Sequence, residues 1–196
     1  MNKLAATLML SLGAFGLLFG AFQVPAKSSG TPRTVQYSWT RTPIGSSEMT
    51  VEFRGKPKTV SVPLSGPVRA QYDVLQTISW SSTDFAVFAS YAASNANKPI
   101  SLDGAARGAL DNVRGQAAAA DYAEKITNAT IVGLPGRRIQ CSFTNGTKKF
   151  FLSGVIFTDR TRMWQVICTG NTSTANTNLT NRVLASIKKN AAQSGG

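Results

Sequence analysis

The stretch RRIQCSFTNGTKKFFLSGVIFTDRTRMWQVICTG, residues 137–170, constrains the fold more than any other part of the chain. Polar and apolar residues alternate along three successive runs rich in Val, Ile, Phe, Thr and Trp, the pattern of strands with one face on a core. Asn145-Gly146 separates the first two runs, and both residues tolerate the positive φ that a type I′ hairpin turn demands. A hairpin is predicted there, with Thr144 facing Thr147 and Cys141 facing Phe150. If Asp159-Arg160-Thr161 forms a three-residue loop, Cys168 faces Leu152. Ile139, Cys141, Phe143, Phe150, Leu152, Gly154, Ile156, Trp164, Val166 and Cys168 then share one core face.

On that register both cysteines are buried on strands that flank a common middle strand, about 10 Å apart. That exceeds the ~7 Å reach of an unstrained disulfide. An even cysteine count in an exported chain favours a bridge instead. The two readings, a Cys141–Cys168 disulfide or two buried thiols, are both structural. A catalytic thiol needs an accessible, low-pKa setting beside a histidine, a lysine or a helix N-terminus, and the chain contains no histidine and no Cys-x-x-Cys.

The missing histidine also removes Ser-His-Asp and Cys-His catalysis and ordinary zinc sites. VGLPGRR has neither P-loop nor dinucleotide spacing. Several of the nine acidic residues, among them Asp103, Asp111, Asp121 and Glu124, fall on or beside a predicted helix, where a solvated face is the simpler reading than a glycosidase pair. No enzyme activity, metal or cofactor is expected.

MNKLAATLMLSLGAFGLLFGAFQVPA, residues 1–26, has the layout of an export signal: Lys3, an uncharged apolar run from Leu4 to Phe22, then Val24-Pro25-Ala26. An uncleaved membrane anchor is the alternative, since the run just reaches spanning length. KSSGTPRT, residues 27–34, reads as a linker. Residues 35–190 are sized for one domain, and residues 191–196 read as a disordered tail. Beyond residue 26 the balance is 20 basic minus 9 acidic residues, +11, which favours acidic partners. An exported protein rarely meets nucleic acid, so none is expected.

The body opens with short strands in VQYSWTR, MTVEFRG and KTVSVP, succeeded by a hairpin of VRAQYDVLQTISW with DFAVFASYAA. Ser101 to Glu124 then reads as one long Ala-rich helix, capped by Ser101, with Leu102, Ala105, Ala106, Ala109, Leu110 and Val113 at helical spacing. ITNATIVGL begins four consecutive strands. STANTNLTNRVLASIKKN closes the domain as a second helix, with Leu179, Val183, Leu184 and Ile187 on one face and Lys188-Lys189 at its C-terminal end. Helices set apart from runs of strands predict an α+β fold, a mainly antiparallel sheet covered by helices.

The segments VEFRGKPK, ATIVGLPGRRIQCSF, KFFLSGVIF and MWQVICTG, with the Ala-rich helix and the closing helix, resemble the PsbP-like family over residues 48–190. GLPGRR is similar to that family's Gly-x-Pro-Gly turn before a strand, and VEFRGKPK to its Phe-Pro-Gly-Lys-Pro start, with Arg54 where proline is usual. The resemblance implies an α/β/α sandwich and a non-catalytic role, docking on a membrane complex or assisting its assembly. The histidines that photosynthetic members contribute have no counterpart here, so no metal or docking residue carries over. The combined expectation is an exported accessory module in the periplasm or on the outer face of the inner membrane. Its partner is a protein of a membrane-associated complex or an anionic lipid surface, met through Arg137, Arg138, Lys148, Lys149, Arg160 and Arg162. The alternatives are a small-molecule-binding or weakly catalytic domain with a pocket between sheet and helix, lined by Trp164, Phe150 and Tyr122, and an integral subunit of a membrane complex held by an uncleaved N-terminal helix.

Overall fold

The computed structural model describes residues 38–61, 71–95, 98–116 and 121–190. The predicted export segment, the linker and the C-terminal tail lie outside these residues. In chain order the elements are β1 (Trp39–Pro43), β2 (Met49–Arg54), β3 (Lys58–Val60), β4 (Tyr72–Ser81), β5 (Phe85–Ser94), α1 (Leu102–Gln116), β6 (Ala123–Ile131), β7 (Leu134–Asn145), β8 (Lys148–Thr158), β9 (Arg162–Asn171), α2 (Thr174–Ala185) and β10 (Lys188–Lys189). A seven-stranded sheet runs β3-β4-β5-β9-β8-β7-β6 and a three-stranded sheet runs β1-β2-β10. Every pairing is antiparallel.

The large sheet is the central layer because both faces of β5, β8 and β9 are apolar. On its first face α1 lays Ala105, Ala106, Ala109, Leu110 and Val113 against Ile139, Cys141, Leu152, Ile156 and Ile167. Alanines suit this contact because they let the helix backbone approach the sheet. Ser101 caps α1 by accepting the Gly104 N–H at 3.1 Å. On the second face Met49, Val51 and Phe53 of β2 and Val183 of α2 close over Val155, Phe157, Trp164, Val166 and Cys168. The α+β prediction is thus realised as three layers, the last a small sheet joined by α2.

Five local expectations are corrected. The predicted helix from Ser101 to Glu124 ends, among the described residues, at Gln116. Ala123 and Glu124 instead open β6, paired with Ser142 and Cys141, so a sheet ladder overrides helix propensity there. A two-residue turn at Val132-Gly133, with φ of 48° and 80°, interrupts ITNATIVGL, and Leu134 belongs to β7. The next turn is centred on Gly146-Thr147 rather than Asn145-Gly146, so Thr144 pairs with Lys149 and Cys141 with Leu152. Positive φ at Gly146 and not at Thr147 matches a type II′ turn. That shift of two residues keeps the same faces inward.

The fourth correction matters most. Thr158 pairs with Met163, which makes Cys168 face Ser153 instead of Leu152. One extra residue in the β8–β9 loop, where Arg160 holds φ at 94°, slips the register by one and exchanges the faces of the whole strand. Trp164, Val166 and Cys168 therefore sit in the second-face core, opposite Cys141. Fifth, Lys188-Lys189 leaves the closing helix to pair with Thr50 and Met49. α2 stops at Ser186, whose N–H reaches Arg182 O at 3.0 Å.

Candidate functional site

The six cations singled out in the sequence do not converge. Lys148 and Lys149 stand exposed at the β7–β8 tip. Arg160 and Arg162 lie at the other end of β8, roughly 30 Å away at strand rise. Arg137 and Arg138 are neighbours on β7 and so point to opposite faces. Arg137 is turned toward α1, where its Nε donates to Asp103 Oδ1 at 2.7 Å. That hydrogen bond and the guanidinium charge hold the Asp103 carboxyl below its usual range. Arg162 pairs with Glu48 at 3.0 Å and with Asp159, and its guanidinium lies 5.1 Å from the Trp164 ring.

A division of labour between arginine and lysine explains this. Arg41, Arg107, Arg114, Arg137, Arg162 and Arg182 all reach carboxylates, as the bidentate guanidinium favours. Among the described residues no lysine enters an ion pair. Arg138 and Arg160 also enter none. The charge offered to solvent therefore sits on Lys125, Arg138, Lys148 and Lys149 around β6–β8, on Arg160 in the β8–β9 loop, and on lysines scattered elsewhere.

Neither thiol is set up to react. Burial pushes Cys141 up to about 12 and pushes Cys168, which is completely enclosed, higher still. Both are free, on opposite faces of the sheet. Beneath α1, Glu124 receives Arg107, Arg114 and the Tyr122 hydroxyl, the last at 2.9 Å. Burial alone would raise its pKa, but the Tyr122 and Arg107 hydrogen bonds and the two positive charges outweigh it and hold the carboxyl low. Burial raises Tyr122 well above the ordinary phenol range. Such a cluster braces α1 on β6.

Trp164, Phe150 and Tyr122 do not form a pocket together. Trp164 is in the second-face core, its Nε1 donating to Ser47 Oγ at 2.8 Å. Phe150 and Tyr122 pack on the α1 side. An open groove of about 450 Å³ lies instead between α2 and the second face of β6–β8, over Lys125, Gln140, Ser142, Phe151, Ser153 and Asn181. It exists because the β1-β2-β10 layer and α2 stop short of β6 and β7, leaving that corner polar. Alternation in AEKITNATI and RRIQCSF signals one wet face; the register that brings those residues beside α2 is hidden in the loop lengths. Among the described residues no group of three or more His, Cys, Asp or Glu could hold a metal, and no helix is long and apolar enough to cross a membrane.

No family model and no curated protein matches this chain. Among solved structures it is similar to LpqN of Mycobacterium tuberculosis, described as involved in cell envelope biogenesis, at 13% identity, covering 82% of this chain and 86% of LpqN with a TM-score of 0.44. It is also similar to PA94 of Pseudomonas aeruginosa, a protein of unknown function, at 11% identity, covering 73% and 88% with a TM-score of 0.37. These scores carry no functional argument, and the PsbP-like resemblance is not confirmed by them.

Proposed function

We propose that the protein is an exported binding module without catalytic chemistry, which docks through the β7–β8 tip on an acidic face of a protein in a membrane-associated complex. The observation that carries this reading is the placement of Lys148 and Lys149, exposed at a hairpin end and, among the described residues, free of ion pairs, while the acidic residues are largely engaged with arginines. Unpaired ammonium groups keep their attraction for a partner, whereas a salt-bridged guanidinium is already neutralised locally. Such charges steer encounter and make it salt-sensitive. The chain's lack of histidine and its raised, buried thiols support the non-catalytic part. The export segment read from residues 1–26 supports the location.

The test is co-purification from the native host of the parent chain and of Lys148→Glu/Lys149→Glu. Loss of a specific partner in the double variant, with an Arg160→Glu control retaining it, is the expected result. Equal recovery in both variants would overturn docking at the tip.

A further inference from the structure

The groove beside α2 has a lining that the docking tip does not use. Strand pairing lays its floor out in cross-strand rows. Lys125 faces Gln140, which faces Ser153; toward the tip the next row is Ala123, Ser142 and Phe151; away from it, Thr127, Arg138 and Val155. Strands are about 4.8 Å apart and the rows about 7 Å. Thr177 and Asn181, one helical turn apart on α2, form the wall.

Among the described residues the side chains of Lys125, Gln140, Ser142, Ser153 and Asn181 have no protein partner, although Ser153 is only 9% exposed. Thr177 and Thr180, by contrast, donate to Ser173 O and Asn176 O. The charged groups on the face of the floor are Lys125, Arg138 and, one row nearer the tip beside Thr144, Lys149. Asp121 lies at the tip end, where it accepts from Thr144 Oγ1 at 3.1 Å, and Glu124 is engaged on the opposite face with Arg107 and Arg114.

We infer that this groove binds an acidic oligosaccharide. Sugar hydroxyls donate and accept at once, and a floor of amide and hydroxyl groups answers both roles. Phe151 offers an apolar surface for the C–H face of a ring, while the Lys125 ammonium and the Arg138 guanidinium suit a carboxylate, sulfate or phosphate on the sugar. The groove is open, which admits a chain. A nucleic-acid strand would require successive aromatic platforms for its bases, and Phe151 is the one aromatic ring among the residues lining the floor. An extended peptide would pair with the β6 backbone edge instead of lying across side chains.

The inference rests on the reading of the chain as a binding module, with a groove that adjoins the docking tip, since Lys149 shares the face of Phe151 one row away. The experiment is calorimetric titration of the full chain with oligogalacturonate, with maltohexaose and a dT10 strand as comparators. Oligogalacturonate is expected to bind, and maltohexaose more weakly. Gln140→Leu/Ser153→Ala, whose changes fit an exposed strand position and a small side chain, is expected to lose about tenfold in affinity with unchanged thermal unfolding. Lys125→Gln is expected to flatten the salt dependence. No heat with oligogalacturonate, unchanged affinity in the double variant, or equal binding of dT10 would each overturn the inference. Sugar binding by the parent chain, together with unchanged partner recovery in Lys148→Glu/Lys149→Glu, would sink only the docking reading. No heat from the parent chain, together with lost partner recovery in that variant, would sink only the groove.

Discussion

Gly154→Ala and Gly115→Ala make the same chemical change, and the packing predicts opposite signs. Gly154 lies in the middle of β8, paired with Ile139 and Ile167. A methyl group there would come within 2.7 Å of Val166 O, 2.8 Å of Ile167 Cγ1 and 3.1 Å of Ile167 Cα. Two of those three atoms are backbone, so relief requires β8 and β9 to shift. Overpacking of this kind costs about 1–3 kcal/mol, offset by about 0.4–1 kcal/mol from a stiffer unfolded chain. The net is a loss of about 1–2 kcal/mol, or roughly 3–6 °C in Tm for a chain of this size. At Gly115, in the last turn of α1, a methyl meets nothing within 4 Å, and helix propensity gains about 0.5–1 kcal/mol. Urea unfolding of both variants, with unchanged m-values, is the assay. A neutral or stabilising Gly154→Ala would refute the β8–β9 approach on which the register rests.

The same packing sets three other outcomes. Because the folded Glu124 carboxyl titrates below its unfolded value of about 4.3, its contribution is present above that value and disappears as pH falls through the lower folded one. Glu124→Gln is therefore expected to lose about 1 kcal/mol at neutral pH and to flatten the stability curve as pH falls below about 4.3; superimposable curves for parent and variant would contradict the pairing. Trp164→Phe keeps the ring stack on Phe157 but deletes the bond to Ser47, costing about 1–2 kcal/mol by urea denaturation. Both thiols are expected to resist maleimide in the native chain and react in urea, and an intact mass short of two hydrogens under non-reducing conditions would show a bridge that the opposed faces forbid.

Much of the layer structure is legible from residue patterns. Alternation marks β7, β8 and β9, and the spacing of Leu102, Ala106, Leu110 and Val113 marks the face of α1. What patterns cannot supply is the count of loop residues. Arg160 gives no turn signal of the kind glycine does, yet its positive φ adds the residue that sends Trp164 and Cys168 to the other core. Every residue on β9 is buried from Met163 to Gly170, so neither face is marked polar and the alternation carries no register information. Lys188-Lys189 escapes the pattern for a related reason: a two-residue strand has no periodicity, and its place is set by β2. The groove depends on all of these registers together, which is why Gln140, Ser142 and Ser153 do not stand out as a set in the sequence.

The most direct measurement for the docking surface places a photo-reactive amino acid at Lys149 or, as a control, at Lys58 on the far edge of the large sheet, and irradiates the native host. An adduct with one acidic protein from position 149 and none from position 58 is the predicted result. No adduct at 149, or the same adduct from both positions, would contradict docking through the β7–β8 tip.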